Sequence, residues 1–171
     1  PEAAACSITF GAPSKTFNIA GIVSSYSVVP NDSLRHRFHE WMEANEMNAA
    51  PLFSPIATIA AFRKGEEWRK QMLEYVEGNI NFLTDYCREK MPEIKPLRPQ
   101  ASFLVWLDCR SLGLDHDQLI DLFINKAGLA LNDGEMFNPG GQGFMRLNVG
   151  TPRKILKSAL DRLHKAISEN L

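Results

Sequence analysis

The chain has 171 residues and a mass of 19.2 kDa, which fits one domain of ordinary size or one domain plus part of another. Hydrophobic residues make up 44% of it, enough for a sizeable core, so disordered and fibrous classes are excluded. With 19 basic and 20 acidic residues the net charge is −1, and we expect neither nucleic acid nor an anionic membrane as partner. The most apolar window, residues 49–62, is too short to span a bilayer and contains two prolines.

The cysteines and the first residues of the chain indicate its cellular context. Cys6, Cys87 and Cys109 are odd in number, far apart and without a C-x-x-C pair. This pattern predicts reduced thiols in a cytoplasmic protein rather than a disulfide framework or a zinc site. The chain begins with neither an initiator methionine nor the charged start of a signal peptide. We therefore expect that it is a fragment of a larger protein.

The first third of the chain predicts two strands followed by two helices. Residues 5–10 are rich in β-favouring types and predict a strand. A second β-branched run, residues 19–29, ends at Pro30. Asn31 is a good N-cap for a helix whose apolar side is formed by Leu34, Phe38, Trp41 and Met42. Residues 50–62 are apolar over a helical length.

The rest of the chain alternates helices and strands. The strongest helix prediction covers residues 66–90, where apolar side chains recur at steps of three and four residues until Pro92. Asp115 and Gln118 predict a capping box. The remaining predicted elements are a strand at 102–107, a helix at 115–127, strands at 129–131 and 144–149, and a helix at 152–170. This order predicts an α/β or α+β architecture, in which residues 66–171 are self-sufficient and the first 65 lack partners for a full sheet.

One lysine stands out by its position. Lys15 follows the first predicted strand and a Pro13-Ser14 turn and precedes apolar residues, so the backbone is expected to hold it. A lysine held in this way can act as a neutral amine that attacks a carbonyl carbon and moves protons. A solvated turn lysine is the alternative that the spacing leaves open. A phosphate-binding P-loop is excluded, because Thr9 and Ser14 stand where that motif needs glycine.

Residues 12–21 resemble the cofactor-lysine segment of fold-type I pyridoxal-phosphate enzymes, the class I/II aminotransferase superfamily. The resemblance continues in the same order through residues 22–31, 101–108 and 143–153. Its most specific blocks are S-K-T-F-N-I-A-G and R-L-N-V-G-T-P-R. Within the superfamily the chain is most similar to the cystathionine β-lyase (C–S lyase) branch. Typical class I aminotransferases have a phosphate-binding arginine eight residues after the lysine, where this chain has Val23.

The resemblance implies roles for two adjacent residues and for one cofactor, pyridoxal 5'-phosphate. Lys15 is the implied catalytic residue, which forms the Schiff base with the cofactor and takes the Cα proton of the substrate. Ser14 is implied to donate a hydrogen bond to the cofactor phosphate, with a plain turn residue as the equal alternative. No metal is expected.

Arg146 is the candidate substrate-binding residue. Alternation along residues 144–149 places Arg146 on the face opposite Met145, Leu147 and Val149, which form a core-like face. An arginine so placed is either a surface ion-pair partner or a planar, bidentate ligand for a carboxylate. The resemblance favours the second and implies the α-carboxylate of the substrate.

Other residues are expected to be structural. Arg153 is expected to have an acidic partner, because a positive charge at the start of the last helix opposes the helix dipole. Residues 140–143 are glycine-rich and predict a flexible loop that lets the neighbouring arginine be positioned. Trp68 and Trp106 are predicted core residues. Phe137 is predicted either to line a substrate pocket or to pack in the core or within its loop.

The resemblance implies a fold, a domain division and an activity. Residues 1–65 would be the C-terminal remainder of the large cofactor-binding domain, and residues 66–171 the small C-terminal α/β domain. The implied reaction of the full-length parent is C–S β-elimination of cystathionine-type amino acids to a thiol, pyruvate and ammonia, in a cytoplasmic homodimer. An aminotransferase is the alternative, and a non-catalytic fragment or regulatory domain is the second alternative. Because the family's groups on the cofactor ring precede the lysine, the 171 residues alone are expected to be inactive.

Overall fold

The computed structural model describes residues 2–137 and 139–170. The chain divides between Gln71 and Met72 into two compact units, called here the first and the second unit. The helices are α1 (Glu2–Cys6), α2 (Asp32–Ala44), α3 (Ser54–Lys64), α4 (Glu66–Lys90), α5 (His116–Asp121) and α6 (Arg153–Asn170). The strands are β1 (Thr9–Gly11), β2 (Tyr26–Val28), β3 (Lys95–Leu97), β4 (Leu104–Asp108), β5 (Asn132–Asp133) and β6 (Phe144–Asn148). The division falls inside α4, a few residues after the predicted boundary.

The first unit consists of a small hairpin and two helices. Strands β1 and β2 pair antiparallel, with Phe10 opposite Ser27. The predicted cap of α2 is confirmed, because the Asn31 side chain accepts a hydrogen bond of 2.9 Å from the backbone N–H of Leu34. Among the described residues of this unit, three are buried: Pro13, Val29 and Ser54. The first unit therefore has little core of its own.

Three predictions in the first unit are wrong. Residues 5–10 are not one strand, because the alanine-rich start is helical as α1 and the strand begins only at Thr9. Residues 19–29 contain a 3₁₀ turn at Ala20–Ile22 and only the short strand β2. Trp68 is not a core residue, since it is 45% exposed.

The second unit is built on a four-stranded antiparallel sheet of order β3-β4-β6-β5. In the pairing of β4 with β6, Val105 lies opposite Leu147 and Trp106 lies opposite Arg146. Valine and leucine are buried on one face, whereas tryptophan and arginine are half-buried on the other. The predicted alternation along β6 is thus confirmed. It leaves an open face of the sheet on which Arg146 stands.

The buried face of this sheet packs against α4, α5 and α6 in one hydrophobic core. The predicted apolar stripe of α6 is confirmed, because Leu156, Leu160 and Leu163 are each at most 2% exposed. From α4 the core receives Val76, Ile80, Leu83 and Cys87. The α-helices α4, α5 and α6 thus form one layer and the sheet forms the other.

In the second unit, the predicted and observed secondary structure differ mainly in short elements. β3 was not predicted, because it has three residues and includes Pro96, which is tolerated at a sheet edge. The strand predicted at 129–131 lies at Asn132–Asp133. The helix predicted over 115–127 begins with the expected capping box of Asp115 and Gln118 but continues as a π-helical turn, Leu122–Lys126.

A buried amide holds the connection between β6 and α6. Asn79 of α4 is fully buried, and its Nδ2 donates hydrogen bonds to the carbonyl oxygens of Val149 (2.7 Å) and Thr151 (2.8 Å). Its Oδ1 accepts a hydrogen bond of 2.5 Å from Nε of Arg153. The predicted acidic partner of Arg153 is therefore wrong, since the partner is an amide. The guanidinium of Arg153 also lies over the ring of Phe82, 4.9 Å from its centre.

We expect Asn79→Ala to lower the free energy of unfolding by about 2–4 kcal/mol, because it leaves buried carbonyl groups without donors. Urea denaturation followed by circular dichroism measures the loss. Asn81→Ala is the matched control two residues further along α4, where the side chain is exposed and only accepts from Arg98. It should change the free energy by less than about 0.5 kcal/mol. Equal losses in the two variants would contradict the role of Asn79.

All three cysteines are free thiols. Cys6 is exposed, whereas Cys87 and Cys109 are buried. Burial raises the pKa of Cys87 and of Cys109 to about 12. Their contribution to stability is complete below the pKa of an unfolded thiol and is lost as the pH rises towards 12. Above about pH 9 the free energy of unfolding should fall by at most about 1.4 kcal/mol per pH unit for each thiol. Urea titrations at neutral and alkaline pH measure this slope, and equal stability at both would contradict it.

Two further observations concern the described part of the chain. None of its helices combines the length and the hydropathy needed to cross a membrane. Nor do three of its His, Cys, Asp or Glu side chains come together in an arrangement that could hold a metal ion.

Candidate active site

Lys15 lies in a turn that is closed by backbone hydrogen bonds. The N–H of Phe17 donates to the carbonyl of Pro13 at 2.9 Å, and the N–H of Ile19 donates to the carbonyl of Ser14 at 3.0 Å. Pro13 is buried, whereas the side chain of Lys15 is exposed. The backbone at Lys15 is therefore fixed while its amine stays accessible to a ligand.

Aromatic packing anchors the segment that follows the lysine. The ring of Phe17 meets the ring of Phe62 of α3 edge to face, with 5.5 Å between centres. Phe62 in turn meets Tyr26 of β2 at 6.2 Å. Asn18, which follows Phe17, adopts a positive φ of 53°. These contacts connect the lysine turn to β2 and α3.

Val23 follows the 3₁₀ turn at Ala20–Ile22, eight residues after Lys15. It is 69% exposed and has a φ of 51°, a left-handed conformation that is costly for a β-branched residue. The buried hydroxyl of Ser54 donates to the carbonyl oxygens of Ile22 (2.5 Å) and Val23 (3.3 Å), which helps to hold this backbone. An uncharged side chain therefore stands at this point of the first unit.

Ser14 provides a hydroxyl directly beside the lysine. Its side chain is half-buried, and its carbonyl accepts one of the two hydrogen bonds that close the turn. On adjacent residues, the hydroxyl can donate a hydrogen bond to an anionic group, and the primary amine can react with a carbonyl carbon of the same ligand. The lysine turn therefore offers both a nucleophile and a hydrogen-bond donor.

Arg146 stands in the middle of the open sheet face of the second unit. Its Nη2 donates to Oδ1 of Asn132 at 3.0 Å, and its guanidinium lies over the ring of Phe137, 4.3 Å from the centre. Its Nε is buried and has no hydrogen-bond partner among the residues that the structure describes. Within the same residues, no carboxylate lies at ion-pair distance from it. A guanidinium with this surplus of donors is suited to bind an added carboxylate.

A second arginine on this face shows what a paired side chain looks like. Arg110 donates to both carboxylate oxygens of Asp108, at 2.9 and 2.7 Å, and lies over the ring of Phe144 at 4.8 Å. These hydrogen bonds hold the pKa of Asp108 below its usual value. The charge of Arg110 is thus neutralised within the protein, in contrast to that of Arg146.

An aromatic cavity of about 300 Å³ lies on the same sheet face. Trp106 meets Phe137 edge to face at 5.2 Å and Phe144 at 6.3 Å. The cavity is lined by Leu97, Trp106, Phe137, Pro139, Gly140, Gly141 and Phe144. Phe137 lines this cavity, and its role towards a substrate stays a prediction. Trp106 is half-buried on this open face. The prediction that it is a core residue is therefore wrong.

The predicted site residues are distributed over both units. Ser14 and Lys15 belong to the first unit, and Arg146 belongs to the second. Asn132, which holds Arg146, was missed by sequence reasoning. It lies opposite Arg146 in the pairing of β5 with β6, and a strand of two residues leaves no alternation from which that register could be predicted.

Comparisons with known proteins match nearly the whole chain. No family model matches it. It is 36% identical over 162 residues to cystathionine β-lyase PatB of Bacillus subtilis, a match that covers 95% of the chain and 42% of the relative. It is 26% identical over 158 residues to aspartate aminotransferase of Pyrococcus horikoshii, covering 90% of the chain and 39% of that protein.

A solved structure extends the match to the fold. Cystalysin from Treponema denticola, which contains pyridoxal 5'-phosphate, superposes with a TM-score of 0.94 at 31% identity, over 98% of this chain and 43% of that one. The expected α/β fold is thereby confirmed, and the chain spans about two fifths of the length of its relatives. Together these matches show that the chain belongs to the fold-type I pyridoxal-phosphate-dependent family that contains cystathionine β-lyases and aminotransferases.

Proposed function

We propose that this chain is the C-terminal part of a pyridoxal-phosphate-dependent enzyme that cleaves cystathionine-type amino acids by C–S β-elimination. The reaction breaks the Cα–H and Cβ–S bonds and releases the thiol, and one water then hydrolyses the C–N bond of the remaining imine to give pyruvate and ammonium. The observation that carries the proposal is Lys15, an accessible amine on a turn that the backbone holds closed. Similarity to a cystathionine β-lyase over 95% of the chain supports the type of reaction.

The residues of the lysine turn fit pyridoxal phosphate by their chemistry. An accessible primary amine suits an aldehyde carbon, and the adjacent hydroxyl suits a phosphate oxygen. Lys15 would hold the cofactor through Nζ, and Ser14 would donate a hydrogen bond to its phosphate. When bound, the cofactor supplies an electron sink for the pair left behind when the Cα–H bond breaks.

The chain's own side chains then bind the substrate and move its proton. Nζ of Lys15, once it is a free amine, takes the proton from Cα as general base. Arg146 binds the α-carboxylate, because its guanidinium is planar and has no carboxylate partner among the described residues. Holding that carboxylate limits the orientations of the amino acid and so presents one Cα–H bond for cleavage.

An aminotransferase is the second candidate, supported by the similarity to aspartate aminotransferase. The same lysine and arginine serve both reactions, so these two residues do not distinguish them. Val23 favours the lyase, because an uncharged, exposed side chain stands where class I aminotransferases have a phosphate-binding arginine. The distinction therefore depends on the products.

Product analysis of a full-length protein that contains this chain tests the proposal. Cystathionine alone should give equal amounts of pyruvate and thiol. An amino acid with 2-oxoglutarate should give little glutamate. Glutamate without pyruvate would instead establish the aminotransferase. Absence of both products, together with a Lys15→Ala variant that keeps its cellular role, would establish the non-catalytic alternative.

We also propose the larger context of the chain. Residues 1–65 would be the C-terminal remainder of a large cofactor-binding domain and residues 66–171 the small domain, an assignment supported by the near absence of buried residues in the first unit. Leu52, Phe53 and Ile56 are 80%, 70% and 65% exposed and would be covered in a homodimeric whole protein. The free thiols support a cytoplasmic location. The 171 residues alone would then lack activity.

A further inference from the structure

We propose that Phe137 and Asn132 are positioning residues for the carboxylate-binding arginine, an inference that rests on the proposed function of Arg146. Phe137 supports the guanidinium from its flat face at 4.3 Å, and Asn132 accepts from Nη2 at 3.0 Å. One contact fixes the plane of the guanidinium and the other fixes its rotation within that plane. Nη1, which has no hydrogen-bond partner among the described residues, can then bind a carboxylate with less loss of side-chain freedom.

Strand pairing places these residues around the arginine. Arg146 lies in β6 between two partner strands, opposite Trp106 of β4 on one side and opposite Asn132 of β5 on the other. Trp106 meets Phe137 edge to face at 5.2 Å and so supports the ring that carries the guanidinium. The guanidinium is thus contacted by Asn132 of β5 and by Phe137, and Trp106 of β4 supports the ring of Phe137.

Two glycines on either side of Phe137 have backbones in close contact. A Cβ added to Gly134 would lie 2.1 Å from the carbonyl oxygen of Gly141, and one added to Gly141 would lie 2.0 Å from that of Gly134. Any side chain at either position would push the two backbone segments apart. These glycines therefore permit close packing, a different reason for glycine than the flexibility expected from residues 140–143. This close approach supports the position of Phe137 three residues after Gly134.

Neutral partners suit a residue that must bind a carboxylate. Asn132 accepts a hydrogen bond from Arg146 without neutralising its charge, and the ring of Phe137 attracts the cation through its π face only. A carboxylate at either position would form an ion pair with the guanidinium and compete with the substrate. The chain places such a carboxylate beside Arg110, in the form of Asp108, but not beside Arg146 among the described residues.

Steady-state kinetics of the full-length protein tests the role of Phe137. Phe137→Ala should raise KM for cystathionine about two- to thirtyfold, the range of a cation–π contact, and leave kcat within about threefold. Phe137→Tyr should restore KM, because it keeps the π face. Phe82→Ala is the matched control, since it removes a ring of the same size from beneath Arg153, away from the site. An equal rise in KM for Phe82→Ala would overturn the proposal.

Asn132→Asp tests the same proposal without removing volume. It should raise KM about fivefold, the size of a favourable exposed ion pair, while the protein remains folded. An unchanged KM would show that the guanidinium is not oriented for the substrate and would overturn the proposal.

A measurement that needs no turnover separates this proposal from the proposed function. In urea denaturation, a double-mutant cycle of Phe137→Ala and Arg146→Gln should show a coupling of about two- to fivefold in the unfolding constant. Coupling in a protein without lyase or aminotransferase activity would refute the function and leave the contact standing. Absence of coupling in an active enzyme would refute the positioning alone.

Discussion

Replacement of Lys15 by alanine is expected to abolish turnover of cystathionine by the full-length protein. The loss of proton transfer at Nζ alone should lower kcat about 10²- to 10⁴-fold, and the loss of the cofactor's attachment adds to this. The fold should be unaffected, because the side chain of Lys15 is exposed and the turn is closed by backbone hydrogen bonds. Pyruvate formation measures the rate, and circular dichroism confirms the fold.

Lys64→Ala is the matched control for this prediction. Lys64 is an exposed lysine in the last turn of α3, in the same unit as Lys15. Its replacement should leave turnover unchanged. Borohydride reduction of the wild-type protein with pyridoxal phosphate, followed by peptide mass spectrometry, should place the covalent adduct on Lys15. An adduct on Lys64 or elsewhere, with activity retained in Lys15→Ala, would reject the catalytic assignment.

Replacement of Arg146 by glutamine should weaken substrate binding more than any other change in the second unit. Hydrogen bonds to a charged group contribute about 1.5–3 kcal/mol each, so kcat/KM should fall about 10- to 150-fold for each bond lost. Arg146→Lys should recover only part of the loss, because an ammonium does not form the planar, bidentate pair. Steady-state kinetics with cystathionine measures both variants.

The second arginine of the same face provides the control for this prediction. Arg110→Gln removes a guanidinium that Asp108 already neutralises, and kcat/KM should change less than about threefold. The preference between substrates with and without an α-carboxylate offers a further measurement. Wild-type protein should prefer an amino acid strongly over the amine that lacks its carboxylate, and Arg146→Gln should lose that preference. A preference that persists in Arg146→Gln would assign the carboxylate to another residue.

The two units differ in how well their elements were predicted. In the second unit, α4 and α6 follow the predicted ranges closely, because their apolar stripes pack on a sheet that is present in the same unit. In the first unit, residues 5–10 and 19–29 are only partly strands. Few described residues are buried there, so the hydrophobic pattern had less influence on the local structure. The helix propensity of Ala3–Ala5 and the left-handed backbone at Val23 had more.

By itself, the sequence determined the family resemblance, the position of Lys15 after a turn and the face of β6 on which Arg146 stands. Each of these depends on neighbours within a few residues, which local periodicity and motifs describe. Only the tertiary structure decided which residues hold that arginine. Asn132 and Phe137 reach it through strand register and a loop closed by two glycines in contact. Such contacts join residues distant along the chain, and no local pattern specifies them.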